Sequence, residues 1–264
     1  MISKNKLKYF SSLRLKKNRQ ETGFFLVEGL RLCEELFASK YPVEKVFYSS
    51  PFLEASRGEK LIAQFRGAHV SVENIPQKSL KSLTDTVQPQ GIVAVVKKKA
   101  FDIEKLKKKQ KGNLVAVDRI NNPGNLGTII RTACWFHVSG LLLSSHTVDY
   151  TNPKVVRASM GAVFHLPVFD QLDLSKTLFD FQTIGYRLYV TEISGSRVYT
   201  QANFSKKNIL VLGNEAGGVN NCVKLSAASR ITIPKVGTGE SLNVAVAAGI
   251  VLAEMALKKI KHKG

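Results

Sequence analysis

Hydrophobic and polar residues alternate along the first hundred positions with the periods of short strands and short helices. Runs of β-branched and aromatic residues predict four strands, at residues 24–27, 43–48, 70–72 and 91–96. Apolar residues at helical spacing predict helices between these strands, over residues 28–39, 51–65 and 79–83. We therefore expect residues 1–96 to form one compact α/β sandwich domain.

After residue 113 the alternation of strands and helices is stronger. Five short runs are apolar on both faces and predict strands, at residues 114–117, 140–143, 187–191, 209–212 and 231–233. Such strands, separated by helix-length segments, are typical of a parallel sheet covered by helices on both sides. Residues 242–259 are apolar nearly all round and predict a core helix, with terminal lysines that suit its C-terminal dipole. Residues 114–264 are thus predicted to form a second α/β domain.

The two predicted domains meet at residues 97–113, where lysine dominates and few residues are apolar. Such a segment buries little surface. It is therefore predicted to be a linker or an exposed basic helix.

The composition is strongly basic, with 39 Lys and Arg against 20 Asp and Glu in 264 residues, a net charge of +19. Stability does not require this excess, whereas a polyanionic partner explains it through the release of counterions. Plain solubility is the alternative explanation. A membrane is not an expected partner, because the chain has no basic amphipathic helix with an aromatic anchoring face.

Three cysteines, Cys33, Cys134 and Cys222, lie far apart and form no Cys-x-x-Cys pair. A disulfide framework or a metal site is therefore not expected. The longest near-apolar stretch, residues 244–253, is about half of the ~20 residues that a bilayer-spanning helix needs. We expect a cytoplasmic protein without a targeting signal, in a bacterium rather than an organelle.

Three glycine-containing clusters follow predicted strands, and open parallel sheets bind ligands at the carboxyl ends of their strands. The first cluster, N-N-P-G-N-L-G-T-I-I-R, runs from Asn121 to Arg131. A helix is predicted to begin near Asn125, which is a good N-cap residue. Asn125 and Arg131 are six residues apart, so they converge only if Asn125 lies in the loop. A helix cap plus a surface arginine is the alternative interpretation.

The second cluster is L-G-N-E-A-G-G at residues 212–218. It matches neither a Walker A loop nor G-x-G-x-x-G, and an ordinary turn is the alternative. The third cluster, I-P-K-V-G-T-G-E-S-L-N-V-A from Ile233 to Ala245, joins the last strand to the C-terminal helix. Ser241 suits an N-cap, whereas Asn243 at an apolar helix start needs a hydrogen-bond partner, either a core backbone group or a ligand.

In this order and spacing, the clusters resemble the three motifs of the SpoU/TrmH branch of the SPOUT methyltransferases: N-x(5)-R, L-G-N-E-x-x-G and I-P-x(6)-S-L-N-V. This resemblance covers residues 114–257. Residues 1–96 resemble the L30e-like RNA-binding domain that precedes the catalytic domain in many members. Residues 25–31, F-L-V-E-G-L-R, resemble the opening motif of that domain.

The resemblance implies a parallel sheet tied in a deep trefoil knot, which the hydrophobic pattern alone does not predict. It also implies a homodimer with active sites near the subunit interface. The implied reaction is methyl transfer from S-adenosylmethionine, without a metal, to a ribose 2′-hydroxyl of a structured RNA. Ribosomal RNA of the 23S type is expected before tRNA. The implied donor-binding residues are Leu212, Gly213, Gly217, Ile233, Leu242 and Asn243.

The implied catalytic residues are Arg131, Asn125, Glu215, Ser241 and Asn243. Arg131 is expected to stabilise the developing alkoxide or to orient a phosphate that takes the proton, because a guanidinium with a pKa above ~12 is a poor base. Asn125 would orient the ribose or Arg131, and Glu215 would brace the site. Ser241 and Asn243 would hold Arg131 or the substrate.

The basic N-terminal domain is expected to select the RNA through exposed cations. The candidates for phosphate contacts are Lys4, Lys6, Arg14, Lys16, Lys17, Arg19 and Arg31. Tyr9 and Phe10 are candidates for stacking on an unpaired base, with a core role as the alternative for Phe10. A non-enzymatic RNA-binding or ribosome-assembly factor would explain the charge but not three complete ligand-loop motifs. Methylation of a base is not excluded by chemistry, and only the motifs disfavour it.

Overall fold

The computed structural model describes residues 2–109, 111–194, 196–204, 206–214, 217–221 and 229–261. The chain packs into two compact units, one formed by Met1–Ala100 with Asp149–Phe164 and the other by Phe101–Val148 with His165–Gly264. Within the described ranges, no helix has both the length and the apolar character needed to cross a membrane.

The elements are numbered in chain order. The α-helices are α1 (Lys4–Ser12), α2 (Lys16–Thr22), α3 (Leu30–Ala38), α4 (Ser56–Gly67), α5 (Gln77–Leu83), α6 (Ile103–Lys107), α7 (Pro123–Trp135), α8 (Pro153–Ala158), α9 (Leu174–Thr183) and α10 (Val244–Lys261). Short 3-10 helices occupy Ser50–Glu54, Ala162–Phe164 and Tyr199–Gln201. The strands are β1 (Phe24–Glu28), β2 (Val43–Tyr48), β3 (Ser71–Asn74), β4 (Ile92–Lys97), β5 (Gly112–Val117), β6 (Gly140–Ser144), β7 (Val168–Leu172), β8 (Arg187–Thr191), β9 (Arg197–Val198), β10 (Lys207–Leu212) and β11 (Ser229–Thr232).

The first unit is built on a mixed sheet in the order β1-β4-β2-β3. Strand β4 pairs antiparallel with both β1 and β2, and β2 pairs parallel with β3. The four predicted strands are observed with small shifts at their ends. Helix α4 begins at Ser56, later than predicted, because residues Ser50–Glu54 form a 3-10 helix. Helices α1 and α2 were not predicted, because α1 packs on the core through only a few apolar residues such as Leu7 and Phe10, and the buried residue of α2 is Arg19.

The second unit is built on seven strands in the order β7-β6-β5-β10-β8-β11-β9. Every neighbouring pair is parallel, so the predicted parallel α/β sheet is confirmed. The sequence pattern missed the two edge strands. Asp170 and Gln171 interrupt the apolar run of β7, and β9 is only two residues long.

Part of the lysine-rich segment 97–113 packs, contrary to the expectation of a linker or an exposed helix. Asp102 caps α6 by accepting a hydrogen bond from the backbone N–H of Glu104 (2.9 Å). Leu106 on α6 is buried in the core of the second unit, and Phe101 and Ile103 pack against the same core. Helix α6 therefore presents apolar side chains to the core among its many lysines.

Residues Asp149–Phe164 lie between β6 and β7 in the chain but pack with the first unit. Asp149 Oδ2 accepts hydrogen bonds from Nη2 (2.7 Å) and Nε (2.9 Å) of Arg19, and both side chains are buried. Arg157 on α8 donates to Asp85 (3.1 Å). These ion pairs join residues more than seventy positions apart, so hydrophobic periodicity gives no sign of them.

Candidate active site at the sheet edge

Three glycine-containing segments follow β5, β10 and β11 at the carboxyl edge of the parallel sheet. Leu212, the last residue of β10, pairs with Val117, the last residue of β5, so these two strands end at the same level. The sequence correctly predicted that the loops after these strands share one edge.

The first segment begins helix α7 earlier than expected. Asn122 is the N-cap, and its Oδ1 accepts hydrogen bonds from the backbone N–H groups of Gly124 (2.8 Å) and Asn125 (3.2 Å). Pro123 occupies the first helical position, where its missing N–H costs nothing. The helix begins two residues before Asn125, close to the predicted start, but its N-cap is Asn122, and Asn125 lies in the first turn.

Arg131 and Asn125 are therefore both on α7, and the structure does not bring them together. Six helical residues separate their Cα atoms by roughly 600° of rotation and about 9 Å of rise. Arg131 is exposed and shares a face with Thr128 and Trp135, whose side chain is 84% exposed. Among the residues that the structure describes, none forms a hydrogen bond or ion pair with the Arg131 side chain.

Asn243 is the N-cap of α10 and is exposed, and its hydrogen-bond partners lie at the start of α10 and on Asn125. Its Oδ1 accepts hydrogen bonds from the backbone N–H groups of Ala245 (2.9 Å) and Val246 (3.4 Å). Its Nδ2 donates to Oδ1 of Asn125 (3.0 Å). One side chain thus caps α10 and ties the third segment to the first.

The second segment folds back on itself directly after β10. Asn214 and Gly218 exchange two backbone hydrogen bonds (3.1 and 2.9 Å), and the N–H of Gly217 donates to Asn214 Oδ1 (3.3 Å). A Cβ on Gly213 would lie 2.2 Å from the backbone of Gly218, so this position has no room for a side chain. Glu215, the predicted bracing residue, lies outside the described residues.

Two residues that hold the second segment were not predicted. Asp118 and Arg119 directly follow β5, and the carbonyl of Arg119 accepts a hydrogen bond from Asn214 Nδ2 (2.7 Å). Asp118 is almost completely buried. In the sequence, Asp118 directly follows an apolar strand at the edge where ligands bind, and an acid in that position indicates a polar contact.

The loop between β11 and α10 is open to solvent. Ile233 is partly buried, whereas residues 234–243 are exposed, Ser241 among them. Ser241 is not the N-cap of α10, because Asn243 has that role. Leu242 is 53% exposed and Val236 fully exposed, so two apolar side chains lack apolar cover within the described chain.

The predicted RNA-contacting cations fall into two groups. Six of them are exposed on the first unit: Lys4, Lys6, Arg14, Lys16, Lys17 and Arg31. Arg19 corrects the prediction, since it is 3% exposed and donates to Asp149 and to the carbonyls of Leu13 and Arg14. Arg19 therefore stabilises the first unit and is not available to phosphate.

The aromatic candidates for base stacking also separate. Phe10 packs against the core of the first unit, with its ring 5.3 Å from that of Phe47. Tyr9 remains 43% exposed. The alternative of a core role thus applies to Phe10, and Tyr9 keeps an accessible ring.

Two further observations concern metal-binding and thiol groups in the described part of the chain. Its His, Cys, Asp and Glu residues form no group of three that could hold a metal ion. Burial raises the pKa of the Cys33 thiol and so disfavours the reactive thiolate.

A parallel sheet with three glycine-containing segments at its carboxyl edge, preceded by a basic α/β unit, is typical of a two-domain α/β enzyme that acts on a polyanion. Residues 112–253 match the SpoU rRNA Methylase family, and residues 4–94 match the MRM3-like substrate binding domain. The chain belongs to the SpoU rRNA methylase family.

Several characterised proteins resemble the whole chain. The 23S rRNA (guanosine(2553)-2′-O)-methyltransferase RlmP of Bacillus subtilis is 30% identical over 247 residues, which cover 94% of each chain. The 23S rRNA (uridine(2479)-2′-O)-methyltransferase of Streptomyces viridochromogenes is 27% identical and covers 94% of this chain and 88% of its own. The crystal structure of AviRb from the same organism, in complex with AdoMet, superposes with a TM-score of 0.89 at 26% identity and covers 98% and 99% of the two chains.

Proposed function

We propose that this protein transfers a methyl group from S-adenosylmethionine to a ribose 2′-hydroxyl of ribosomal RNA in the cytoplasm, with tRNA as the second candidate substrate. The main support is the hydrogen bond between Asn125 and Asn243, which joins two of the three loops at the sheet edge where the family motifs lie. Both named relatives act on 23S rRNA, one on a guanosine and the other on a uridine. The base identity therefore does not carry over to this chain.

The residues at the sheet edge fit an adenosine-bearing methyl donor. Leu212 ends β10, Gly213 follows it, and Ile233 directly follows β11, so we assign their backbone groups to the adenosine of the donor. The exposed side chain of Leu242 offers apolar contact to a base. Gly217 and the cap residue Asn243 complete the proposed donor-binding set. When bound, S-adenosylmethionine supplies a methyl group activated by a sulfonium.

The 2′-hydroxyl is a poor nucleophile at neutral pH, so the residues of this chain must position it and help its proton to leave. Arg131 contributes positive charge to the developing alkoxide, or holds a phosphate that takes the proton. Asn125, held by Asn243, orients the ribose. Ser241 lies in the exposed loop next to Asn243 and contacts the substrate, and Glu215 braces the site.

We also propose a homodimer in which Arg131 faces the subunit interface. Trp135 lies on the same face of α7 as Arg131, and Val246 and Leu257 are more than half exposed on the adjacent helix α10. Val246 and Leu257 are eleven residues apart, so they lie on one face of that helix. Exposed apolar side chains on neighbouring helices support an interface at this face of the second unit.

The test of the function uses the full chain with tritiated S-adenosylmethionine and, separately, total rRNA and total tRNA from a strain that lacks the gene. Digestion should identify a labelled 2′-O-methylnucleoside in rRNA. Arg131→Ala should lower turnover at least about 100-fold while RNA affinity stays within about threefold. The matched control is Arg187→Ala at the amino end of β8, which should leave turnover unchanged.

The outcomes separate the alternatives. Label in a methylated base would overturn the ribose assignment, and label only in tRNA would overturn the rRNA assignment. RNA binding without donor binding would favour a non-enzymatic assembly factor. Equal activity of Arg131→Ala and the wild-type chain would remove Arg131 from the mechanism.

A further inference from the structure

Asp118 and Arg119 directly follow β5, but both contact residues of the loop after β10. Asp118 continues the ladder between β5 and β10 by donating its N–H to the carbonyl of Leu212 (2.8 Å). Its carboxylate Oδ2 accepts hydrogen bonds from the N–H of Asn220 (2.8 Å) and from Arg119 Nε (3.1 Å). This carboxylate is almost completely buried, and a buried charge requires such partners.

Arg119 contacts the same loop at two other residues. Its carbonyl accepts a hydrogen bond from Asn214 Nδ2 (2.7 Å), and its Nη2 donates to the carbonyl of Gly218 (3.3 Å). Its own N–H donates to Ser144 Oγ (2.9 Å), which fixes it to β6. The pair Asp118–Arg119 therefore contacts the loop at Asn214, Gly218 and Asn220.

The backbone at this pair is strained. Arg119 has a φ of +56°, a left-handed conformation that is uncommon for residues other than glycine. Strained backbone persists only where the surrounding structure holds it, and it concentrates at functional sites. The four hydrogen bonds of Arg119 to Ser144, Asn214, Gly218 and Asp118 hold the strained residue in place.

We propose that Asp118 and Arg119 are positioning residues that fix Asn214, Gly218 and Asn220, in the loop after β10, in their donor-binding positions before the methyl donor arrives. This inference rests on the proposed function, because it assumes that the loop binds S-adenosylmethionine. A loop that must be ordered on binding lowers affinity by the free energy of ordering. Loss of the pair should therefore weaken donor binding and leave both the chemical step and RNA binding unchanged.

The decisive variant is Asp118→Asn, which keeps the size of the side chain and removes its charge. The loss of charge-assisted hydrogen bonds should raise both the Kd and the KM for S-adenosylmethionine about tenfold. The kcat at saturating donor should stay within about twofold, as should the Kd for RNA. Donor binding is measured by isothermal titration calorimetry and RNA binding by filter retention.

The matched control is Asp173→Asn, the same change at the N-cap of α9, where asparagine caps as well as aspartate. Its donor affinity should equal that of the wild-type chain. Arg119→Lys is the second variant and decides the question if Asp118→Asn does not fold. A lysine keeps the charge but loses the geometry that contacts Asp118 and Gly218 together, so donor affinity should fall severalfold.

The possible failures are distinguishable. A wild-type chain that binds no donor would overturn the proposed function and this inference with it. A wild-type chain that binds the donor, with both variants folded and unchanged in donor affinity, would overturn this inference alone. A fall in kcat at saturating donor as large as the change in KM would also overturn it, since positioning of the donor loop would then not be the cause.

Discussion

Single amide side chains determine where the helices of the candidate site begin. Asn122 caps α7 and Asn243 caps α10, each with a side-chain oxygen that accepts two backbone N–H groups. The sequence predicted a polar cap at the start of each helix, but at Asn125 for α7 and with Ser241 as a candidate for α10. Several good N-cap residues stand within four positions of one another, and the preceding backbone turn decides between them.

Replacement of Asn243 tests its two contacts separately. Asn243→Ala loses both the cap of α10 and the bond to Asn125, and should destabilise the second unit by about 1 kcal/mol. Asn243→Asp keeps an oxygen for the cap but has no donor for Asn125 Oδ1. It should therefore retain stability and lose methyl transfer, as measured by thermal unfolding and by kcat/KM. Full activity of Asn243→Asp would show that methyl transfer does not need the Nδ2 donor of Asn243.

Two glycines of the second segment differ in what a methyl group would meet. A Cβ at Gly213 would collide with the backbone of Gly218 and Val219, whereas a Cβ at Gly217 meets nothing within 4 Å. Gly213→Ala should therefore lower the melting temperature of the second unit by several degrees, and Gly217→Ala should leave it unchanged. Differential scanning calorimetry measures both. Equal melting temperatures would mean that the fold of this segment differs from the one described.

The central elements of both sheets were predictable because their residues are apolar on both faces. The edge strand β7 was not predictable, because Asp170, which is partly buried, and Gln171, which is exposed, interrupt its apolar run. The packing of Asp149–Phe164 with the first unit was not predictable either, because ion pairs between distant positions hold it there. Periodicity reports local burial and carries no information on such long-range pairs.

The ion pair between Arg19 and Asp149 should stabilise the first unit measurably. Arg19→Met leaves the Asp149 carboxylate buried without its cation and should cost about 3 kcal/mol or more. The double variant Arg19→Met with Asp149→Asn should cost less than the sum of the two single variants. Unfolding in urea, followed by circular dichroism, measures these differences.

The control is Lys17→Met at the exposed pair Lys17–Glu21, which should change stability by less than about 0.5 kcal/mol. Trp135, the single tryptophan of the chain, lies in the second unit. Its fluorescence transition should not move in Arg19→Met. A cost for Arg19→Met as small as that for Lys17→Met would contradict a stabilising role of the ion pair.

At the scale of the whole molecule, the net charge of +19 was the earliest sign of a polyanionic partner. The family match supports that reading, while the exposed lysines of α1 and α2 remain candidates for RNA contacts. The implied trefoil knot stays a prediction, because residues 222–228 between β10 and β11 lie outside the described residues. The RNA-binding role of the first unit is better tested by substitutions than by deletion of residues 1–96, because that deletion would remove the packing partner of Asp149–Phe164.

Exchange of Lys4, Lys6, Lys16 and Lys17 for glutamine should reduce the dependence of RNA affinity on salt. Each lost phosphate contact should make the slope of log K against log salt shallower by about 0.7 to 0.9. Donor affinity should not change. The matched control replaces four exposed lysines of the second unit, Lys105, Lys108, Lys109 and Lys111. An equal effect of both sets would assign RNA attraction to the net charge and not to α1 and α2.

The packing of Asp149–Phe164 with the first unit also has a consequence for protein synthesis. A nascent chain usually folds its N-terminal domain first. Here the buried Arg19 cannot form its ion pair until Asp149 has been translated, 130 residues later. The first unit therefore completes its fold only after Phe101–Val148 of the second unit has been translated, and a truncated nascent chain that ends near residue 100 should remain sensitive to protease.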